Sequence, residues 1–489
     1  MNLFFAGHQE KYAVEQTLLT LFPQERPVYP DTPPGGDNEL VLSFSRGSQW
    51  CTARAVLRRG GKTYVRQCRV AAAELPAEDP VVSTRLTRRT LQRAFYLAAV
   101  DCLGTEPPWG MLSGVRPVKL PTRAMEAGAS PRQAEAMLRD QYRVSPLRRQ
   151  LAMDCAQASL AVKRDLKPQE ISLYVGIPFC PTRCAYCSFI SASGSANRLI
   201  PDYLDALLAE IDAAGAAARR AGKTVRSVYL GGGTPTTLEA PQLAELLDRL
   251  RRAFQLAPGT ECTVEAGRPD TITREKLIAI REGGGNRISV NPQTMSDPVL
   301  AAIGRSHRAQ DIRRAYALAR ETGVGAVNMD LIAGLPGDTP DGFRTTLEQV
   351  LALAPENITV HTLSRKRGAD LSQQTASVPD GAQVGEMLDF ANTALDTAGY
   401  APYYLYRQKF MSGGFENVGW TRPGQENLYN ICIMEELCSI LAMGGGASTK
   451  LVCPGGRLER HIDPKYPTEY IANIDRICAA KAKLEAFFL

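Results

Sequence analysis

Between Glu170 and Thr362 the chain repeats one pattern six times. Short runs rich in β-branched and aliphatic residues are Ile171–Ile177, Val225–Leu230, Glu261–Glu265, Arg287–Val290, Ala326–Ile332 and Asn357–Thr362. Between them lie stretches with helical spacing of apolar residues, such as Pro201–Ala221, Pro241–Phe254 and Arg308–Thr322. Gly222 and Gly323 stand where two of these helices should stop. Strands that alternate with helices pair in parallel, because each helix carries the chain back to the same end of the sheet. Six βα repeats therefore predict an α/β fold, a parallel and partly open barrel. In barrels the reactive groups collect at the C-terminal ends of the strands.

The first strand end carries three cysteines, Cys180, Cys184 and Cys187, in YVGIPFCPTRCAYCSF. The C-x3-C-x2-C spacing can place three thiolates on three irons of a 4Fe–4S cubane and leave the fourth iron open to a small molecule. A zinc site with a distant fourth ligand, or three buried thiols, would use the same residues. Against zinc, no His or Cys follows within the next 70 residues. One βα unit later, SVYLGGGTPTT (Ser227–Thr237) runs a strand into Gly231, Gly232 and Gly233. Backbone without side chains can approach a ligand closely there. A glycine turn alone is ordinary; its place directly after the cysteine loop is specific.

CPTRCAYC followed by GGGTPT resembles the radical S-adenosylmethionine (SAM) superfamily. YVGIPFC, GGGTPT and MDLIAGLPGDT resemble its oxygen-independent coproporphyrinogen III oxidase (coproporphyrinogen dehydrogenase) family, most closely the HemZ-type branch, from about Leu173 to the C-terminus. The resemblance implies a 4Fe–4S cluster on Cys180, Cys184 and Cys187, with SAM as second cofactor. Glu265 suits a ribose diol, since a carboxylate is a strong paired acceptor for neutral hydroxyls. Gln293 offers an amide to the nucleoside, and Arg305 a fork for the methionine carboxylate. Asp330 lies in a strand that should be buried on both faces, so it needs a partner or ligand. The resemblance groups these four with Tyr174, Tyr186, Gly232, Gly233 and Thr234 as SAM contacts, Tyr186 packing on the adenine.

The activity so implied is that of an oxidoreductase. The SAM-derived radical takes hydrogen from the β-carbon of a propionate, carbon dioxide leaves, an electron passes to an acceptor and a vinyl group remains. Two rounds convert coproporphyrinogen III to protoporphyrinogen IX. Implied partners are the tetrapyrrole and an electron donor such as ferredoxin or flavodoxin. Four substrate carboxylates ask for basic groups: Arg365, Lys366 and Arg367 after the last strand, and Arg407 and Lys409 in YYLYRQKF, where Tyr403, Tyr404 and Tyr406 can cover a flat macrocycle. The family's oxidases place a fourth cysteine two residues after the third; here that residue is Phe189. Heme chaperones of the same superfamily also lack it, so heme delivery is the alternative, with another radical SAM tetrapyrrole reaction as a third reading. The chaperones' HNxxYW-like element has only ENLYNI (Glu426–Ile431) as counterpart.

A chain of 489 residues exceeds one ordinary domain. The expected division is an N-terminal accessory α+β domain over 1–165, the radical SAM partial (β/α)6 barrel over 166–380 and a small mixed C-terminal domain over 381–489. In the first, Ala13–Phe22 reads as helix and Pro27–Asp37 as loop. Leu40–Phe44, Cys51–Arg58 and Lys62–Val70 read as strands, the last two joined at Gly60-Gly61. Arg85–Cys102 and Pro131–Arg164 read as helical, as does Leu428–Met443 near the other end. No run approaches 18 apolar residues, and His8 and Glu10 break the apolar start, so neither a membrane span nor a signal peptide is expected. Twelve cysteines without an export signal are expected as reduced thiols in a cytoplasmic protein. Residues 51–150 hold 18 Lys/Arg against 8 Asp/Glu, which suits an anionic partner or a solvated face. No nucleic-acid motif accompanies that excess.

Overall fold

The computed structural model describes residues 1–33, 35–76, 78–188, 192–364, 377–408, 412–453 and 457–488. The chain divides into two compact units, Met1–Val115 with Ala129–Gln150, and Arg116–Gly128 with Leu151–Leu489.

The first unit begins β1 (Asn2–Ala6), α1 (Lys11–Leu21), β2 (Glu39–Arg46), β3 (Trp50–Arg59), β4 (Lys62–Ala71) and α2 (Pro80–Leu103). The strands lie in the order β1-β2-β3-β4, the first pair parallel and the others antiparallel. Gly60 and Gly61, at φ 60° and 71°, supply the left-handed pair that a two-residue hairpin needs. Alternate residues Leu40, Leu42, Ala53, Ala55 and Leu57 pack against Val14, Leu18, Leu91 and Phe95 of the helices. β1 escaped the sequence reading: five residues at a chain start carry too little periodicity to mark a strand.

Next come α3 (Lys119–Glu126), α4 (Pro131–Tyr142) and α5 (Pro146–Asp165). The stretch read as one helix from Pro131 to Arg164 is therefore two. Arg143, left-handed at φ 56°, caps α4, and Pro146 opens α5.

The second unit holds the βα repeats. β5 (Glu170–Ile177) is followed by two short strands, β6 (Phe179–Cys180) and β7 (Ala192–Ser193), that pair with each other. Then follow α6 (Ile200–Arg220), β8 (Thr224–Gly232), α7 (Ala240–Phe254), β9 (Glu261–Glu265), α8 (Arg274–Glu282) and β10 (Arg287–Ser289). After these come α9 (Asp297–Ala302), α10 (Ala309–Thr322), β11 (Ala326–Ala333), α11 (Pro340–Leu353) and β12 (Asn357–Thr362). The long strands are parallel neighbours in the order β12-β11-β10-β9-β8-β5. Their cores, such as Val175, Leu230, Val264, Ile288 and Leu331, are fully buried, as parallel strands between two layers must be.

The sheet continues past both ends of the repeat. After α12 (Gly381–Thr397), β14 (Glu416–Thr421) adds antiparallel to β12, and β13 (Ala401–Arg407) lies antiparallel outside β14. After α13 (Leu428–Glu435), β15 (Ile440–Gly444) lies parallel to β5, and β16 (Ser448–Val452) and β17 (Leu458–Ile462) extend that edge antiparallel. Among the described residues the edge strands β13 and β17 do not pair, so the sheet is open, as a partial barrel requires. Leu428–Met443 is not one helix: Glu436, left-handed at φ 58°, ends α13, and Ile440–Gly444 is a strand. A short run buried on all sides has no period to separate strand from helix. No helix among the described residues is long and apolar enough to cross a membrane.

The chain ends on α14 (Pro467–Ala472), α15 (Ile474–Lys483) and a final short turn of helix. Lys481 of α15 reaches into the sheet. Its Nζ lies 3.0 Å from Glu210 of α6 and 2.9 Å from Asp463, and donates to the Ala442 carbonyl of β15 at 2.6 Å. Glu210 in turn accepts from Gly444 N at 2.9 Å and from the Tyr470 hydroxyl. Tyr203 of α6 donates to Gly176 O of β5 at 2.6 Å and accepts from Gly445 N at 2.7 Å. This buried network clamps β15 to β5 just before the cysteine loop. Lys481→Met leaves two buried carboxylates without their common cation. It should lower the unfolding free energy by about 3–5 kcal/mol in denaturant titrations; a loss below about 1 kcal/mol would mean the network is no stronger than a surface pair.

Candidate active site

The cysteine loop leaves β5 through Pro178 and Phe179, whose ring meets Tyr203 edge-on at 5.1 Å. Cys180 ends β6, and the Cys187 N–H turns back to Cys184 O at 3.0 Å. Cys180 and Cys184 are buried and Cys187 is half-buried. Burial pushes the Cys180 thiol up to about 11; the Thr234 hydroxyl opposes this, as does Arg268, while Cys187 and Cys184 add to it. Thiolates crowded into such a loop need a cation beside them. Among the described residues no three His, Cys, Asp or Glu side chains are arranged around one ion. A cubane asks something different, one thiolate on each of three irons, and three soft sulfurs on one loop fit it.

The triglycine turn docks directly on that loop. Gly233 N donates to Ile177 O at 2.8 Å and Thr234 N to Phe179 O at 2.7 Å. A Cβ on Gly233 would stand 2.8 Å from both Ile177 O and Phe179 N, so only glycine permits the approach. Gly232 sits at φ 105°, a conformation open to glycine alone. The result brings Thr234 Oγ1 to 3.1 Å from Cys180 Sγ.

The next strand ends face the same space. Glu265, at the end of β9, accepts from the Tyr229 hydroxyl at 2.6 Å. Burial raises its carboxyl to about 7; the Tyr229 bond pulls it down and Asp330 pushes it up. Tyr229 stacks on Tyr429 of α13 at 4.7 Å, and Tyr174 of β5 completes the cluster at 6.5 and 6.3 Å. Gln293 is buried and left-handed at φ 66°, a strained state that its two backbone bonds to β11 maintain: Gln293 N to Asp330 O at 2.9 Å and Ile332 N to Gln293 O at 3.0 Å. Asp330 accepts from Asn328 Nδ2 at 2.7 Å and lies 3.7 Å from His361 Nε2. Burial works to raise its carboxyl, but His361, Asn328 and Thr359 together hold it below the ordinary range.

Arg305 is buried, with Nη1 on Gly267 O (3.1 Å) and Asn291 O (3.3 Å) and Nη2 on the Tyr186 hydroxyl (3.0 Å). Its Nε has no acceptor among the described residues. The structure thus brings Cys180, Cys184, Cys187, Tyr174, Tyr186, Gly232, Gly233, Thr234, Glu265, Gln293, Arg305 and Asp330 to one end of the sheet. Phe189, Arg365, Lys366, Arg367 and Lys409 lie outside the described residues. Arg407 is buried, with Nε and Nη2 both donating to Gly414 O, and burial lowers it to about 10. Tyr404 and Tyr406 of the same strand stack at 6.5 Å, whereas Tyr403 packs with Ile431 of α13.

Sequence reading missed Arg268 and Asp270. Arg268 binds Asp270 through Nε (3.0 Å) and Nη2 (2.8 Å), and its Nη1 points at Thr182 O (3.3 Å) and Cys184 Sγ (3.8 Å). Nothing in the tripeptide RPD signals this, because the contact spans 84 residues of chain. It also missed the Tyr429 contact, which depends on α13 lying under the sheet. At the strands' opposite ends a hollow of about 570 Å³ is lined by Glu261, Arg287 and Gln425 among others. Its polar groups are already committed: Glu261 caps α13 through Leu428 N and Tyr429 N, and Arg287 holds Gln425 O.

The radical SAM superfamily model matches residues 174–350. The oxygen-independent coproporphyrinogen-III oxidase-like protein HemZ of Bacillus subtilis is 39% identical over 394 residues, 79% of this chain and 78% of that protein. The heme chaperone HemW of Escherichia coli is 29% identical over 306 residues, 63% of this chain and 77% of that protein. Among solved structures, the coproporphyrinogen III oxidase HemN of Escherichia coli, a radical SAM enzyme, superposes with TM-score 0.53 at 26% identity, over 68% of this chain and 78% of that one.

Tyr229→Phe removes the hydrogen bond that favours the Glu265 carboxylate. Its midpoint should move above the present value of about 7. A difference-infrared titration, with Glu265→Gln to identify the carboxyl band, reads this; an unchanged or lower midpoint would contradict it.

Proposed function

Because this chain belongs to the radical SAM superfamily, in its oxygen-independent coproporphyrinogen III oxidase-like branch, we propose that it oxidatively decarboxylates the propionates of coproporphyrinogen III to vinyl groups. Its cofactors are a 4Fe–4S cluster and S-adenosyl-L-methionine. Bound together, these supply the one-electron chemistry that removes hydrogen from an unactivated carbon. Each propionate gives up one hydrogen atom, carbon dioxide and one electron, which an external acceptor takes. Two rounds yield protoporphyrinogen IX.

The chain's part is to bind, orient and exclude water. Cys180, Cys184 and Cys187 hold the cluster. Gly232, Gly233 and Thr234 offer bare backbone beside it, and Arg305 turns a buried guanidinium toward the same loop. Glu265 accepts ribose hydroxyls, Gln293 and Asp330 flank the nucleoside, and Tyr174 and Tyr186 wall it. Arg365, Arg367 and Arg407 are the proposed contacts to propionates, and the Tyr404–Tyr406 stack is the proposed cover for the macrocycle. A ferredoxin or flavodoxin would supply the electron, in a cytoplasm that keeps the cysteines reduced.

One observation carries this reading: the cysteine loop, the triglycine turn and the carboxylates of β9 and β11 converge on one end of a parallel sheet. Heme delivery is the second reading, supported by the similarity to the heme chaperone HemW and by Phe189 at the position of the oxidases' fourth cysteine.

The test is anaerobic incubation of the reconstituted protein with SAM, a reductant, an electron acceptor and coproporphyrinogen III, with Cys184→Ala as control. Two successive losses of carbon dioxide plus two hydrogens, matched by 5′-deoxyadenosine and absent in the control, are expected. Stoichiometric heme binding without SAM cleavage would instead select heme delivery. Glu265 adds a pH signature. Only its ionised form accepts from both ribose hydroxyls, and its carboxyl titrates at about 7. SAM affinity should rise about tenfold from pH 6 to pH 8 and lose that dependence in Glu265→Gln. A flat wild-type profile would remove Glu265 from the site.

A further inference from the structure

Arg268 is 3% exposed, yet it carries a charge, and it turns one arm of its guanidinium to the cysteine loop. Asp270 grips one side of the guanidinium through two parallel bonds, at 3.0 and 2.8 Å. That grip fixes the plane and leaves Nη1 facing the Thr182 carbonyl at 3.3 Å and the Cys184 sulfur at 3.8 Å. Lysine has no such fork, so only arginine can be held on one side and donate on the other. Pro269 between the two residues opens a short 3-10 turn, and Thr271 Oγ1 donates back to Arg268 O at 2.8 Å, which ties the turn down. Arg268 follows Glu265 by three residues, and the carbonyl of the intervening Gly267 accepts from Arg305. One loop therefore links the strand end at Glu265, the Arg305 guanidinium and the Cys184 thiol.

We propose that Arg268, oriented by Asp270, is a positioning residue that donates a charged hydrogen bond to the Cys184 thiolate and thereby sets the reduction potential of the cluster. Reduction adds one negative charge to a centre already ligated by thiolates. A cation on one of those sulfurs, in a site shielded from water, stabilises the reduced form more than the oxidised form and raises the potential. Asp270, bonded to the other side of the guanidinium, opposes this with a charge of the other sign. The pair is thus a two-handed control, one residue raising the potential and the other moderating it. The inference rests on the assignment of the cluster to Cys180, Cys184 and Cys187, and does not depend on the substrate.

The experiment is reconstitution of the full-length wild type, Arg268→Met, Arg268→Lys and Asp270→Asn, with iron and sulfide assayed in each. The cluster midpoint is then read by paramagnetic-resonance potentiometry without SAM. The midpoint should fall in Arg268→Met, lie between wild type and Met in Arg268→Lys, and rise in Asp270→Asn, which keeps the cation and removes its counter-charge. Equal midpoints at equal iron content in all four overturn the clamp alone. If Arg268→Met takes up no cluster, Asp270→Asn decides, and an unchanged or lower midpoint there overturns the proposal. A wild type that binds no iron overturns the cluster assignment, and the clamp with it.

Discussion

The reactive end of the sheet rests on a backbone-to-backbone contact that tolerates no side chain. Gly233 lies so close to Ile177 and Phe179 that its N–H reaches Ile177 O at 2.8 Å, and the next N–H, on Thr234, reaches Phe179 O at 2.7 Å. These bonds make the cysteine loop after β5 and the glycine turn after β8 one object. The Thr234 hydroxyl at Cys180 follows from them, and so does the exit direction of the cysteine loop. A larger residue at position 233 would separate two loops whose functions are joined. The six parallel strands supply the frame, but this contact decides that the first two strand ends act together.

Around that object the charges are sorted. Arg268 points a donor at Cys184, Arg305 donates to Tyr186 on the same loop, and Thr234 acts on Cys180. Across the strand ends the charge is acidic: Glu265 and Asp330, with His361 beside Asp330. Two carboxylates that raise one another would be costly in a dry site. Tyr229 relieves one and His361 with Asn328 the other, and each keeps capacity for a further donor. A ligand that presents hydroxyls and a positive centre to the acidic side, and a carboxylate toward the guanidinium side, matches this distribution. SAM carries those groups, which supports the place proposed for it between them.

The parallel sheet was legible because its signal is periodic and local. Glu261–Glu265 and Asn357–Thr362 have the same bounds in sequence and structure, and the other strands differ by a few residues at their ends. The cysteines and the glycines were legible because their spacing is short. What escaped was either short or long-range. β1 has five residues, and β15 reads like the end of a buried helix. The split at Arg143 turns on one residue adopting a left-handed conformation that arginine rarely takes. Lys481 finds Glu210 from the far end of the chain, and Arg268 finds Cys184 across 84 residues. Neither pairing leaves a trace in local sequence, since a buried Lys or Arg and a solvated one are spelled alike.

The C-terminal segment bears on the site in the same non-local way. β15 is the strand that flanks β5 on the side away from β8, so it backs the very strand from which the cysteine loop departs. α13 enters from Asn427, whose side chain caps it and also donates to Thr263 of β9 at 2.9 Å. Its first N–H groups end on Glu261 of the same strand. Tyr429 of this anchored helix stacks on Tyr229, and Tyr229 donates to Glu265. A displacement of α13 therefore reaches Glu265 through one ring stack and one hydrogen bond, with no intervening flexible group. The segment that in sequence looks like an appended domain supplies, in the fold, both a wall of the sheet and the support for the carboxylate at its centre.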